Sequence, residues 1–164
     1  MVKYYMARGK VTESYNDMFA AGERDVSTII KIVTKFDYND GDMNIDIVSH
    51  ANNAVEKFLK GYLIKNNIEV TKIHELDTLY GMTIKKNDDF KEIQEECYKL
   101  DRFGAGVKYD PMLKVNSYVA NESVKSLEKI YNFDEIKKIR NELKETNKEY
   151  PKEEYKLGDI INNE

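Results

Sequence analysis

Val48-Ser-His-Ala-Asn-Asn-Ala-Val-Glu-Lys-Phe-Leu-Lys-Gly-Tyr-Leu-Ile64 is the stretch that decides the fold. Val48, Ala51, Val55, Phe58, Leu59, Tyr62 and Leu63 recur at spacings of three and four, the period of a helix with one apolar face. Asn52, Asn53, Glu56, Lys57 and Lys60 fall on other faces, and Asn66-Asn67 stops the run, so a helix is expected over about residues 43–65. Upstream, Tyr15, Phe19, Gly22, Val26, Ile29, Ile30, Val33 and Phe36 carry the same spacing. They predict a first helix over about residues 11–36, ended by the turn formers of residues 37–42.

Downstream, Leu76, Leu79 and Tyr80 form the apolar side of a short helix within residues 71–84, with Gly81 near its end. Asn87 or Asp88 is placed to cap another helix through Phe90, Ile93, Cys97 and Leu100, because a short polar side chain accepts from the free N–H groups of a first turn. Residues 103–111 hold two glycines and Pro111 and read as the longest loop. Val119, Val124, Leu127, Ile130 and Tyr131 begin the next helix, and Asn132-Phe-Asp-Glu135 has the spacing of a capping box that restarts it through Ile136, Ile139 and Leu143. Strand signals are confined to Tyr4-Tyr5 and Ile68-Glu-Val70. The expected fold is all-α, an up-and-down antiparallel bundle of four to five helices over residues 1–145, with residues 146–164 as a peripheral or flexible C-terminal tail.

Charge and composition narrow the function. The 164 residues carry 26 basic and 30 acidic side chains, a net charge of −4, which disfavours duplex DNA as a partner bound through bulk phosphate neutralisation. A nucleic acid would have to be gripped by a local patch. One cysteine and two histidines exclude an internal disulfide and a four-ligand Cys/His zinc site, and neither a metal nor a cofactor is expected. No run approaches the roughly 18 apolar residues of a membrane span, and residues 1–10 lack the apolar core of a secretory signal. A cytoplasmic protein without a membrane partner is the expectation.

The segment Ala51 to Ile64, then Ile73-His-Glu-Leu-Asp-Thr-Leu79, then Gly106-Val-Lys-Tyr-Asp-Pro111 resembles the HEPN family, the higher eukaryotes and prokaryotes nucleotide-binding domains. That family's pattern runs Ala-x-x-Ala-x-Glu-Lys-x-Leu-Lys-x-x-Leu, then His-[Asp/Glu]-Leu-x-x-Leu, then an Arg-Tyr-Pro-like element, and Arg24-Asp25 is similar to its first-helix polar pair. The resemblance covers about residues 15–131. It implies a helical bundle that forms a dimer or pairs with a minimal nucleotidyltransferase, and that binds nucleotide or RNA. Active relatives are RNA-cutting toxins that use Arg-x4–6-His, where histidine moves a proton and arginine stabilises the scissile phosphate. Arg102 stands at the matching place, but Val107, Lys108 and Tyr109 occupy the positions where histidine would fall. Binding without cleavage is therefore expected, and a divergent metal-independent ribonuclease using Arg102, Lys108 and Tyr109 or His74 is the alternative.

Four residues stand out as nucleotide- or phosphate-binding candidates: Arg102, Lys108 and Tyr109 around the glycine loop, with N–H groups freed by Gly104 and Gly106, and His74 at the start of a helix. No residue is assigned a catalytic role. Glu56 and Lys60 read as an exposed i, i+4 pair, Arg24-Asp25 as a polar pair between helices or a solvated one, His50 as exposed or interfacial, and Cys97 as a small core hydrophobe. Phe103, Val107, Tyr109, Met112, Leu113, Val115, Tyr118 and Val119 give the loop an aromatic density that suits a dimer face.

Overall fold

Helix α2 (Gly41–Lys65) is buried on more than one face because four other helices pack on it. The computed structural model describes residues 14–35, 41–70, 72–110 and 114–158. Around α2 stand α1 (Tyr15–Lys35), α3 (Leu76–Lys86), a 3-10 helix (Asp88–Ile93) that leads into α4 (Gln94–Tyr109), α5 (Ser117–Tyr131) and α6 (Asp134–Thr146). The described residues contain no strand. Contacts give the directions. Tyr15, Gly22 and Asp25 of α1 meet Lys65, Phe58 and Lys57 of α2, so the two run antiparallel. Asn52 bonds to the Leu100 carbonyl while Tyr62 meets Phe90 ahead of α4, again antiparallel. Asn44 bonds to the Val115 carbonyl while Phe58 meets Tyr131, so α5 runs parallel to α2 and completes an up-and-down bundle.

The core is a chain of tilted rings. Phe19 lies 5.4 Å from Phe58, Phe58 6.0 Å from Tyr131, Tyr62 4.6 Å from Phe90 and Phe90 5.1 Å from Phe133. Each such pair contributes roughly 0.5–1.5 kcal/mol beyond the area it buries. Gly22 and Gly61 let the first two rings in: a β-carbon at Gly22 would strike Phe58, and one at Gly61 would strike Phe19. Cys97 is fully buried among these helices, and burial pushes its thiol well above the ordinary range, so it packs as the expected hydrophobe and is not a reactive thiol.

Three expectations change. The bundle has six α-helices among the described residues, not four to five, because α5 and α6 are separate. The capping box does not form: Asn132 turns its amide back to the Glu128 carbonyl at 3.0 Å, and Phe133 holds the N-cap of α6 with no side-chain bond. Ser14 caps α1 through the Asp17 N–H at 3.2 Å, and the predicted earlier start at Val11 and end at Phe36 lie outside the described residues. The glycine loop is largely helix, since α4 continues through Gly104 and Gly106 to Tyr109. The glycine at 104 serves a close approach of helices, where any β-carbon would overlap the Asn52 side chain.

The stretch expected to be a peripheral or flexible tail is packed as far as it is described. Tyr150 and Leu157 are buried, and Tyr150 Oη donates to Glu23 Oε1 at 3.1 Å.

Candidate functional site

Two clusters of charge sit on α2 and its neighbours, one sealed and one open. In the sealed one, Glu23 and Arg140 are completely buried. Arg140 Nε donates to Glu23 Oε1 at 2.5 Å, Nη1 to the Tyr131 carbonyl at 2.9 Å, and Nη2 to both oxygens of Glu154. Its guanidinium stacks 3.3 Å above the Tyr131 ring. Tyr131 Oη donates to Glu23 Oε2 at 2.9 Å, so both oxygens of the buried carboxylate are satisfied. Burial works against the Arg140 charge, but Glu23, Tyr131 and Glu154 together outweigh it and hold the guanidinium above its usual pKa. Burial likewise pushes the Tyr131 and Tyr150 phenols well up. Every group here has a partner, and the cluster is a structural tie.

The open cluster lies where α1, α2, the segment before α3 and the end of α4 converge. Asp25 of α1, 7% exposed, is held by His50 Nδ1 at 2.8 Å and Lys57 Nζ at 2.5 Å, both from α2. One turn on, Glu56 Oε1 accepts from Lys60 Nζ at 3.0 Å and lies 2.9 Å from His74 Nδ1. Lys60 is 4% exposed, so this is no exposed helix pair. Nδ1 of His74 lies between the Glu56 carboxylate at 2.9 Å and the Lys60 ammonium at 3.2 Å, donating to the first when it carries the ring proton and accepting from the second when it does not. Nε2 is left as the outward atom of a side chain that is 66% exposed.

A cleft of about 550 Å³ opens beside this cluster. Arg24, Lys57, Lys60 and Lys108 supply four cations on its walls against Asp17 and Glu56. Lys57 and Lys60 are engaged by Asp25 and Glu56. Arg24 and Lys108 are exposed and have no acidic partner among the described residues. His74 and Lys108 also border a second cleft of about 270 Å³, whose walls carry Glu75, Asp77 and Asp101. The two clefts are thus neighbours, a basic and an acidic lobe that share His74 and Lys108 in their walls.

His74 and Lys108, two of the four candidates, come together here. Arg102 does not: Asp101, Ala105 and Lys108 share one face of α4 and line the clefts, whereas Arg102 is a third of a turn away and exposed, and it lines neither lobe. Tyr109 ends α4, and its side chain lies outside what is described. The N–H groups at Gly104 and Gly106 are inside a helix, where they serve the helix and not a phosphate. His74 precedes α3, whose N-cap is Glu75 in extended backbone, and does not itself open the helix. Sequence reading puts Glu23 and Asp25, with Asp17 and Lys31, on the polar face opposite the α1 stripe and passes over Arg140, whereas Glu23 and Asp25 are both buried, Asp25 as the partner of Lys57 and Glu23 as that of Arg140. Glu23 and Arg140 stand in register with apolar stripes, Glu23 four residues after Phe19 and Arg140 four after Ile136, and a charge in such a register is the signal that marks them.

Helices packed around α2 with a charged cleft among them define a small all-helical domain. The chain belongs to the HEPN family: the family model described as HEPN domain matches residues 34–139. No curated protein and no solved structure matches the chain significantly. Among the described residues, no helix is long and apolar enough to cross a membrane.

Proposed function

We propose that this HEPN domain is a binding module that holds the phosphate of a nucleotide or of RNA in the basic lobe without cutting the chain. One observation carries the reading: Arg24 and Lys108 reach the same cleft from α1 and α4 with no acidic partner among the described residues. Two fixed lysines behind them and the imidazole of His74 add donors around the same space. The absence of histidine at Val107, Lys108 and Tyr109 argues against cleavage through the family's Arg-x4–6-His motif. Titration of a short fluorescent RNA by anisotropy tests the reading. Arg24→Ala with Lys108→Ala should weaken binding at least tenfold and lower the salt slope by about two, since each phosphate contact contributes about one. Unchanged affinity in the double variant overturns it.

Assembly is part of the same proposal: a homodimer, or a pair with a minimal nucleotidyltransferase, formed through the end of α4 and the start of α5. Tyr118 is 67% exposed there, with Phe103, Val107 and Val119 half-buried beside it. Tyr109's side chain, Met112 and Leu113 lie outside the described residues. Light scattering at micromolar concentration should give a dimer that Tyr118→Asp dissociates while helical circular dichroism is retained.

A second reading, a divergent metal-independent ribonuclease, is favoured by the His74–Glu56 geometry, which leaves Nε2 free to move a proton. RNA incubated with wild type and with His74→Ala separates the two readings: cleavage by the wild type alone supports the enzyme.

A further inference from the structure

We infer that the two neighbouring lobes together take one nucleotide unit in a fixed direction, with its phosphate in the basic lobe and a base bearing an exocyclic amino group in the acidic lobe. This rests on the phosphate-binding reading above and goes on to name the ligand's other half. The acidic lobe carries Glu75, Asp77 and Asp101 against Lys108 at its shared border, so a second phosphate is repelled there. What such walls accept is a hydrogen-bond donor.

An independent feature of the same lobe asks for a donor as well. Asn52, which lines it, is 4% exposed and bonds through Nδ2 to the Leu100 carbonyl at 3.0 Å. That carbonyl accepts only, which fixes the amide's orientation. The remaining polar atom, Oδ1, is buried and has no hydrogen-bond partner among the described residues. A buried acceptor without a partner costs stability until a donor arrives. Gly104 keeps the amide in place, because the absent β-carbon leaves room for the Asn52 side chain against α4.

Asp101 stands on the same wall, one turn from Ala105 and two from Lys108. The smaller lobe, at about 270 Å³, is assigned the base, and Lys108, which borders both lobes, with Arg24 in the larger one, the phosphate. An amino group then finds two acceptors, Asn52 Oδ1 and Asp101. A carbonyl in its place, as in uracil, would set acceptor against acceptor.

Cytidine and uridine monophosphates differ by this exchange of the exocyclic group, with N3 turning from acceptor to N–H donor beside it, and calorimetric titration with each, and with ribose 5-phosphate, tests the inference. The wild type should bind CMP about tenfold more tightly than UMP or ribose 5-phosphate. Asp101→Asn should bring CMP to the UMP level and leave ribose 5-phosphate unchanged. Removing a negative charge by general electrostatics alone would strengthen all three, so a selective loss for CMP is not a bulk-charge effect. Equal affinity of the wild type for CMP and UMP overturns the inference; if both still weaken with Arg24→Ala and Lys108→Ala, the phosphate reading stands by itself. Failure of all three ligands, and of cytidine and uridine tetranucleotides, to bind overturns both. Tighter binding of the cytidine tetranucleotide than of CMP identifies an RNA residue as the source, and the reverse identifies the free nucleotide; either supports the inference.

Discussion

The two ionic clusters use the same chemistry within a few turns of α1 and reach opposite ends. Glu23 is sealed with Arg140, Tyr131 and Tyr150, and each of its oxygens is bonded. Asp25, two residues on, holds Lys57 at the wall of a cleft that also carries two cations without acidic partners among the described residues. A 100° step per residue around the helix separates the two sides. A closed set of charges holds a fold together and has nothing left to offer a ligand. An unbalanced set at a water-filled cleft contributes little to folding and is free to bind. Mutations that remove one member of each set should therefore have effects of different size and kind.

The largest effect is expected from Arg140→Met. It removes the partner from a fully buried carboxylate, a loss of about 3–5 kcal/mol for a broken interior pair. Urea unfolding followed by circular dichroism measures it, and a cost under about 1 kcal/mol would mean that Glu23 finds water or protonates readily. The same variant should release the C-terminal segment, because Arg140 is also bonded to Glu154. Faster proteolysis after residue 146 would report that release.

A smaller effect comes with acid. Burial pushes the Glu154 carboxyl up, but the hydrogen bonds from Lys144 and Arg140 outweigh it, and the net shift is downward. A carboxylate depressed in the fold contributes stability above its unfolded pKa, near 4.3, and that contribution is lost as pH falls through the folded value. Unfolding midpoints measured from pH 6 to pH 3 should fall less steeply in Glu154→Gln than in the wild type. Parallel curves would show that the strap is held by Tyr150 and Leu157 alone.

Arg24→Ala and Lys108→Ala should change stability by no more than about 0.5 kcal/mol each, the scale of an exposed substitution with no buried partner. Their effect belongs to ligand binding. A destabilisation comparable with Arg140→Met would erase the distinction between the two clusters.

How much of this was legible follows from the range of the signal. The helices around Phe19, Phe58 and Leu127 were readable, because amphipathic spacing is local and the core later buries those stripes. The family segment brought His74 and Lys108 forward, and both reach the cleft. Gly104 and Gly106 misled, because a glycine that breaks a helix and one that lets two helices touch look alike until the neighbour is known, and Asn52 lies 52 residues earlier in the chain. Arg102 misled for the same reason: once the supposed loop is helix, register and not proximity in sequence decides which side chains share a face. Capping at Asn132 failed because its side chain had a nearer acceptor in the Glu128 carbonyl.

Three buried phenols sharpen the comparison to the scale of one hydroxyl. Tyr131 and Tyr150 donate to Glu23, whereas the Tyr80 hydroxyl, in a side chain 3% exposed, has no hydrogen-bond partner among the described residues. Its ring packs edge-on against Tyr98 at 5.9 Å, a contact that phenylalanine preserves. Tyr131→Phe loses a bond to a charged carboxylate and should cost about 1.5–3 kcal/mol. Tyr80→Phe removes a buried polar atom that gains nothing from its surroundings, so stability at pH 7 should stay level or rise slightly. Burial, with Cys97 beside it, pushes the Tyr80 phenol up to about 12, against about 10 when unfolded. The neutral form is thus favoured in the fold, its contribution is complete below pH 10, and it is lost as pH climbs from 10 toward 12. Urea unfolding at pH 7 and at pH 11 should therefore show a smaller alkaline loss in Tyr80→Phe than in the wild type. An equal cost for the two phenylalanine variants at pH 7 would mean that Tyr80 has found a donor or a water, and that the sealed cluster around Glu23 is not what makes a buried hydroxyl stabilising in this fold.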